Sequence, residues 1–208
     1  MADRNVQVLT PATSFDLMTL DEAKNFLGMA LSDTIDDAQL EFFIGVNSAT
    51  VARLCNRVFA REEVRESWRE INGGHRVFLS HWPVLQGDIE AVESPPGTTI
   101  DPGGWELEEA SGKVSFFGSA AIEPVVITYW GGYDLPTEAP FPLKQAVGLL
   151  NLQTRLLASL GTIGGIHQLS HKEARISYHD PSKILAAATG QGANPLMNIL
   201  SRYTRLEV

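Results

Sequence analysis

The chain has 208 residues, 44% hydrophobic and 20% charged, an ordinary balance for a folded protein of one domain or one domain with an insertion. Its 16 basic and 25 acidic residues leave a net charge of −9, which argues against a protein that grips nucleic acid through phosphates, though not against one that lets it pass. The lone Cys55 excludes an intrachain disulfide and fits a reducing compartment; Asp3, Arg4 and Asn5 interrupt any secretory leader, and no stretch is long and apolar enough to span a membrane.

Residues 1–17 read as an N-terminal arm, extended or loose until something ties it down. Thr19-Leu20-Asp21-Glu22 is a capping box, with a hydroxyl and a carboxylate placed to satisfy free helix amides. It predicts a short helix to Leu27 that stops at Gly28. A long helix is predicted over about 36–58. Leu40, Phe43, Ile44, Ala49, Val51, Leu54, Cys55 and Val58 fall near helical spacing. Asp36, Asp37 and Glu41 stand at its start and Arg53 and Arg57 at its end, as the helix dipole favours.

The period then drops to two. Val64, Glu66, Trp68 and Glu70 alternate with Arg65, Ser67 and Arg69, and Asn72-Gly73-Gly74 is a turn. Short strands are predicted at 76–79 and 89–93, a hairpin at 105–108 and 113–117 about Ser111-Gly112, and a strand at 125–130 ended by Gly131-Gly132. Residues 61–132 therefore form an antiparallel β-module inserted between helices. The strongest helix signal is 142–160, with prolines at its start and Gly161 at its end. Leu143, Ala146, Val147, Leu149, Leu150, Leu152, Leu156, Leu157 and Leu160 cover more than one stripe. Its second face must meet another element or another copy of the protein.

The tail, 161–208, has glycine joints at 161–165 and 190–192, a strand at 174–178, and short helices at 181–189 and 195–203. Leu196, Ile199, Leu200 and Tyr203 share one face of the last helix and are the candidate partner-binding residues. The expected fold class is α+β: a small helical bundle with an inserted β-module and a partly helical tail.

A search for chemistry returns little. There is no nucleophile elbow and no phosphate loop: Gly112-Lys113 is followed by Val114 where a hydroxyl is needed. His167 and His171 lie four apart, with His179-Asp180 beyond, but no glutamate stands between them as in a zinc-hydrolase helix. A polar joint is the plainer reading. Cys55, on the apolar side of its helix, reads as a buried thiol. Trp68, Trp82, Trp105 and Trp130 read as core before they read as a stacking platform. The acidic groups Asp36-Asp37, Glu62-Glu63 and Glu106-Glu108-Glu109 lack calcium-loop spacing. No catalytic residue, cofactor or metal site is expected, and the profile is that of an assembly subunit.

The chain resembles the phage head–tail connector, or adaptor, family. The resemblance rests on Thr19-Leu20-Asp21-Glu22-Ala23-Lys24 with Leu27, and on Asp36-Asp37-Ala38-Gln39-Leu40-Glu41 leading to Cys55-Asn56-Arg57-Val58-Phe59. It continues through Trp82-Pro83-Val84, Gly112-Lys113-Val114, Ile127 to Tyr133, and Pro142 to Val147. It covers about 18–160, which makes that stretch the connector body and 161–208 a docking tail. The resemblance implies no enzyme but a virion protein, assembled in the host cytoplasm. It would form a homo-oligomeric ring of about twelve copies beneath the portal. The ring would join the portal to a stopper or tail protein and let double-stranded DNA pass without binding it. Three rivals remain: another neck component such as a stopper or tail-completion protein, a ligand-binding β-module using the tryptophans, and a metal hydrolase using His167, His171 and His179.

Overall fold

In a computed structural model, the described residues are 4–71, 76–117, 123–160, 168–171, 174–177 and 195–205. The chain divides into two compact units, one of residues 1–15 with 57–138 and one of 16–56 with 139–208. Helices and antiparallel sheets are both present, as the α+β expectation requires.

The first unit is β. Strands β1 (Arg4–Thr10), β2 (Glu62–Trp68), β4 (Ile89–Glu93) and β7 (Val125–Gly131) form one sheet in the order β1-β2-β7-β4. Strands β3 (Arg76–Phe78), β5 (Trp105–Glu108) and β6 (Lys113–Phe116) form a second in the order β3-β6-β5. The segment read as an arm thus supplies β1, paired antiparallel to β2 from Arg4 opposite Trp68 to Thr10 opposite Glu63. Strict alternation sets the faces. In β2, Glu62, Val64, Glu66 and Trp68 turn inward; in β5, Trp105 and Leu107 do, while Glu106 and Glu108 face water. The inward residues build one core from Val64, Trp68, Val77, Leu79, Val114, Phe116, Ile127 and Tyr129. Two glycines set its tightest approaches. A Cβ on Gly131 would lie 2.3 Å from the His81 carbonyl oxygen. One on Gly132, at φ +108°, would lie 2.3 Å from that of Ala60.

The second unit holds α1 (Leu20–Phe26), α2 (Asp37–Cys55), α3 (Phe141–Leu160), the hairpin β8 (Gln168–His171) and β9 (Ala174–Ser177), and α4 (Pro195–Leu200). The capping box of α1 is formed, with Glu22 N–H donating to Thr19 Oγ1 at 3.2 Å and Thr19 N–H to Glu22 Oε2 at 2.9 Å. The long helix ends earlier than its pattern predicts. Asn56 turns left-handed, at φ 51°, and its N–H bonds to Arg53 O, so Arg57 and Val58 lie outside the helix. Asparagine is among the few non-glycine residues that adopt this conformation readily. Arg57 instead lies between the rings of Phe59 and Trp82 and donates to the Trp82 carbonyl. The apolar width of α3 is taken up within its own unit: α1, α2 and α4 all pack on it, and Leu143, Ala146, Val147 and Leu149 are buried. Of the two alternatives for its second face, another element is the one seen within the chain, with Leu150, Leu152 and Leu156 left half-buried.

Candidate functional site

Three features merit a functional reading: a buried polar clasp in the β unit, the acidic groups, and the apolar surface of the helical unit.

The clasp grows from the alternation of β2, which carries two carboxylates into the core beside Val64 and Trp68. Glu66 is fully buried. Its Oε1 accepts from Ser80 N–H at 2.7 Å, from the Ser80 hydroxyl and from the Tyr129 hydroxyl, and Arg4 lies 3.9 Å from Oε2. Glu62 Oε2 lies 2.9 Å from His81 Nε2, and its Oε1 accepts from Ala12 N–H at 3.2 Å. Glu63, on the outer side, accepts from Thr10. Carboxylates of β2 therefore hold β1 and the chain just after it at three points. The two buried ones also pin the Ser80–His81 segment. Burial pushes the His81 imidazole below its usual pKa, against the pull of Glu62. Burial, with Glu66 beside it, pushes the Tyr129 phenol well above its usual range. Ser80, His81 and Glu62 are the residue types of a hydrolase relay, but all three are buried. The single Ser80 hydrogen already has two acceptors in reach, Glu66 Oε1 and His81 Nδ1. The arrangement fastens strands. Sequence reasoning missed it, although a readable signal was there: glutamates in phase with the apolar residues of an alternating strand.

Most of the acidic groups are occupied by the fold, while Glu106 faces water. Asp37 pairs with buried Lys24 at 2.6 Å, and Asp36 with Arg155 at 3.0 Å. Burial would raise the pKa of Glu22, but Lys144 at 2.5 Å and the Thr19 N–H overcome this and hold it below its usual value. Glu108 meets Ser111 and Lys113, and Glu109 accepts from Gln86 N–H. Among the described residues no group of three or more His, Cys, Asp or Glu side chains could hold a metal ion. His171 lies in β8, and His167 and His179 fall outside the described residues. Cys55 is buried. Of the tryptophans, Trp68 and Trp105 are in the core, Trp82 packs on Arg57, and Trp130 donates to Glu90 at 3.0 Å. They form no open stacking face.

The helical unit shows a different pattern. The inner side of α2 buries Leu40, Ile44, Asn47, Ser48, Val51 and Cys55. Its opposite side exposes Ala38, Phe42, Val46, Ala49 and Arg53 at spacings of four, four, three and four. Phe42 is 66% and Val46 47% exposed, and the same unit leaves Ile35 91% and Phe141 76% exposed. Scattered exposed apolar residues are common; here a phenylalanine and a valine stand one turn apart on the same solvent stripe. The predicted partner residues lie elsewhere. Leu200 is 1% exposed, covered within its own unit, where Arg205 N–H also bonds to Cys55 O at 2.8 Å. Leu196, Ile199 and Tyr203 are half-buried; Met197, not singled out beforehand, and Asn198 are exposed.

No family model and no curated protein matches the chain. Solved structures do. The fold is shared with chains built into the neck of a particle, and the alignments run nearly end to end. The particle is a gene transfer agent. A chain in the neck of the empty particle, computed with C6 symmetry, aligns over 98% of this chain and 97% of its own, at TM-score 0.60 and 17% identity. A chain from the virion of the native particle gives 98%, 96%, 0.59 and 18%, and one from the native neck, computed with C12 symmetry, gives 98%, 97%, 0.55 and 18%. At such identities the likeness is one of fold.

Proposed function

We propose that this chain is a structural component of a phage-like virion neck, a head–tail connector or adaptor without enzymatic activity. About twelve copies stand in a ring between the portal and a stopper or tail protein, and double-stranded DNA passes through. The observation that carries this reading is the near-complete fold match to chains of a particle neck reconstructed with C6 and C12 symmetry. The exposed stripe of α2 supports it independently: in a ring, Phe42 and Val46 meet the adjacent copy. The charge distribution agrees. The β unit carries 15 acidic and 7 basic residues, and such a surface repels phosphates and keeps DNA from sticking. In this reading the C-terminal segment docks on the portal. Leu196, Ile199 and Tyr203 contribute surface, and Leu200 acts from inside by holding α4 in place.

The test is Phe42→Asp. The residue is exposed, so the free chain keeps its fold and stability within about 0.5 kcal/mol. Its incorporation into particle necks falls at least ten-fold, read by quantifying the chain in purified particles. Normal incorporation of a correctly folded Phe42→Asp chain contradicts the assigned contact.

A further inference from the structure

The four-stranded sheet has two edges, and among the described residues only one is closed. At β4 the chain folds back on itself: Ile100 N–H donates to Val92 O at 2.7 Å, Ser94 N–H to Thr98 O at 2.8 Å, and Glu93 bridges to Thr99. At β1 no strand among the described residues takes the outer side. From Asn5 to Thr10 every residue of β1 is exposed, Val6, Val8 and Leu9 included. The devices that blunt an edge are confined to its ends: Arg4–Thr10 contains no proline and no lysine, its one charge is Arg4, and its one irregularity falls between Val8 and Thr10. An open edge of this kind is a template for a further strand.

A second sheet has the complementary deficiency. The hairpin β8–β9, paired from Gln168 opposite Ser177 to His171 opposite Ala174, is a sheet of two strands with no third among the described residues. A two-stranded sheet is marginal in water and gains from extension. Within one chain the hairpin and the β1 edge belong to separate sheets.

We propose that the β8–β9 hairpin of one copy adds to the β1 edge of the next copy, continuing its hydrogen-bond ladder. The proposal rests on the ring reading above and gives that ring a direction. Hairpin and edge are different surfaces, so the contact is head-to-tail, the kind that closes into a ring, whereas β1 against β1 would stop at a two-fold pair. Charge favours the same partner. Residues 161–208 carry five basic and three acidic residues, and the unit that owns β1 carries seven basic and fifteen acidic.

The experiment is disulfide trapping between full-length chains in a Cys55→Ala background. Val6→Cys and Gln7→Cys, which cover both faces of β1, are each mixed with Arg175→Cys and Ile176→Cys. Oxidation is followed on non-reducing gels, and light scattering gives the assembly state in parallel. At least one mixture is expected to give a two-chain species ten-fold or more above either variant alone. Rings without that species overturn the strand addition and leave the ring reading standing. The species without rings upholds the strand addition and removes the ring. Neither species nor rings overturns both. Cross-linking of the Val6→Cys or Gln7→Cys chain with itself assigns the edge to a two-fold pair and overturns the proposal. So does an intrachain bond alone in the Val6→Cys/Ile176→Cys double variant.

Discussion

Replacing Tyr129 by phenylalanine removes one oxygen from the centre of the β unit and nothing else. That hydroxyl donates to the buried carboxylate of Glu66 and accepts from the His81 N–H at 3.1 Å. Glu66 keeps its two bonds from Ser80, but the charge-assisted bond is lost, at about 1.5–3 kcal/mol, and a buried N–H loses its acceptor, at about 1–3 kcal/mol. Because the groups share one network the terms overlap, and roughly 3 kcal/mol is the expected loss. With a urea m-value of about 1–2 kcal/mol/M for a unit of this size, the midpoint falls by about 2 M. The chain supplies two separable probes. All four tryptophans lie in the β unit, and the helices α1 to α4 in the other. Tryptophan emission therefore reports the perturbed unit, and helical ellipticity reports the other. A second readout isolates the phenol. Its pKa is raised in the folded state, so above the unfolded value of about 10 the unfolded chain releases a proton that the folded chain keeps, and stability falls as pH rises. The phenylalanine variant lacks that loss. A midpoint within 0.3 M of the parent, or an alkaline loss that survives the substitution, would refute the clasp.

Acid should loosen the same unit through His81. Its folded pKa is depressed, so as pH falls below about 6.5 the unfolded chain binds a proton before the folded one does, and stability drops across that window. Tryptophan-monitored urea midpoints at several pH values measure this, and His81→Gln should remove the slope; a midpoint that rises on acidification contradicts it. Gly132→Ala forces a side chain into the left-handed region and against the Ala60 carbonyl. The cost is about 3 kcal/mol or more, seen as loss of the folded emission spectrum. Leu143→Ala, at a fully buried position of α3, should cost about 2–5 kcal/mol and lower the helical transition; a loss below 1 kcal/mol would contradict the packing described for α3.

Much of the fold was legible because local signals acted alone. The capping box of α1, the hairpin of β5 and β6 and the apolar run of β7 each carry their own instruction. Failures came where two elements compete for one residue. Asn56 stops α2 through a backbone conformation that helical periodicity does not encode, and so frees Arg57 to sit between Phe59 and Trp82. The width of the α3 stripe was readable, but not that α1, α2 and α4 would all use it. The open stripe lies on α2, where Phe42 and Val46 were hidden by the stronger pattern of Leu40, Ile44 and Val51. Glu66 was overlooked because a carboxylate in an alternating strand is ordinarily counted on the wet face. The face read on α4 splits in the fold, with Leu200 buried and Leu196, Ile199 and Tyr203 half-buried, since spacing groups residues on a face without saying which neighbour takes it.

An electron-microscopic reconstruction of the particle neck with this chain located in it tests the account most directly. The account predicts copies arranged in a closed ring, with Phe42 and Val46 of each covered by the copy beside it. A neck in which the chain is absent, or in which that side of α2 faces open solvent, would contradict it.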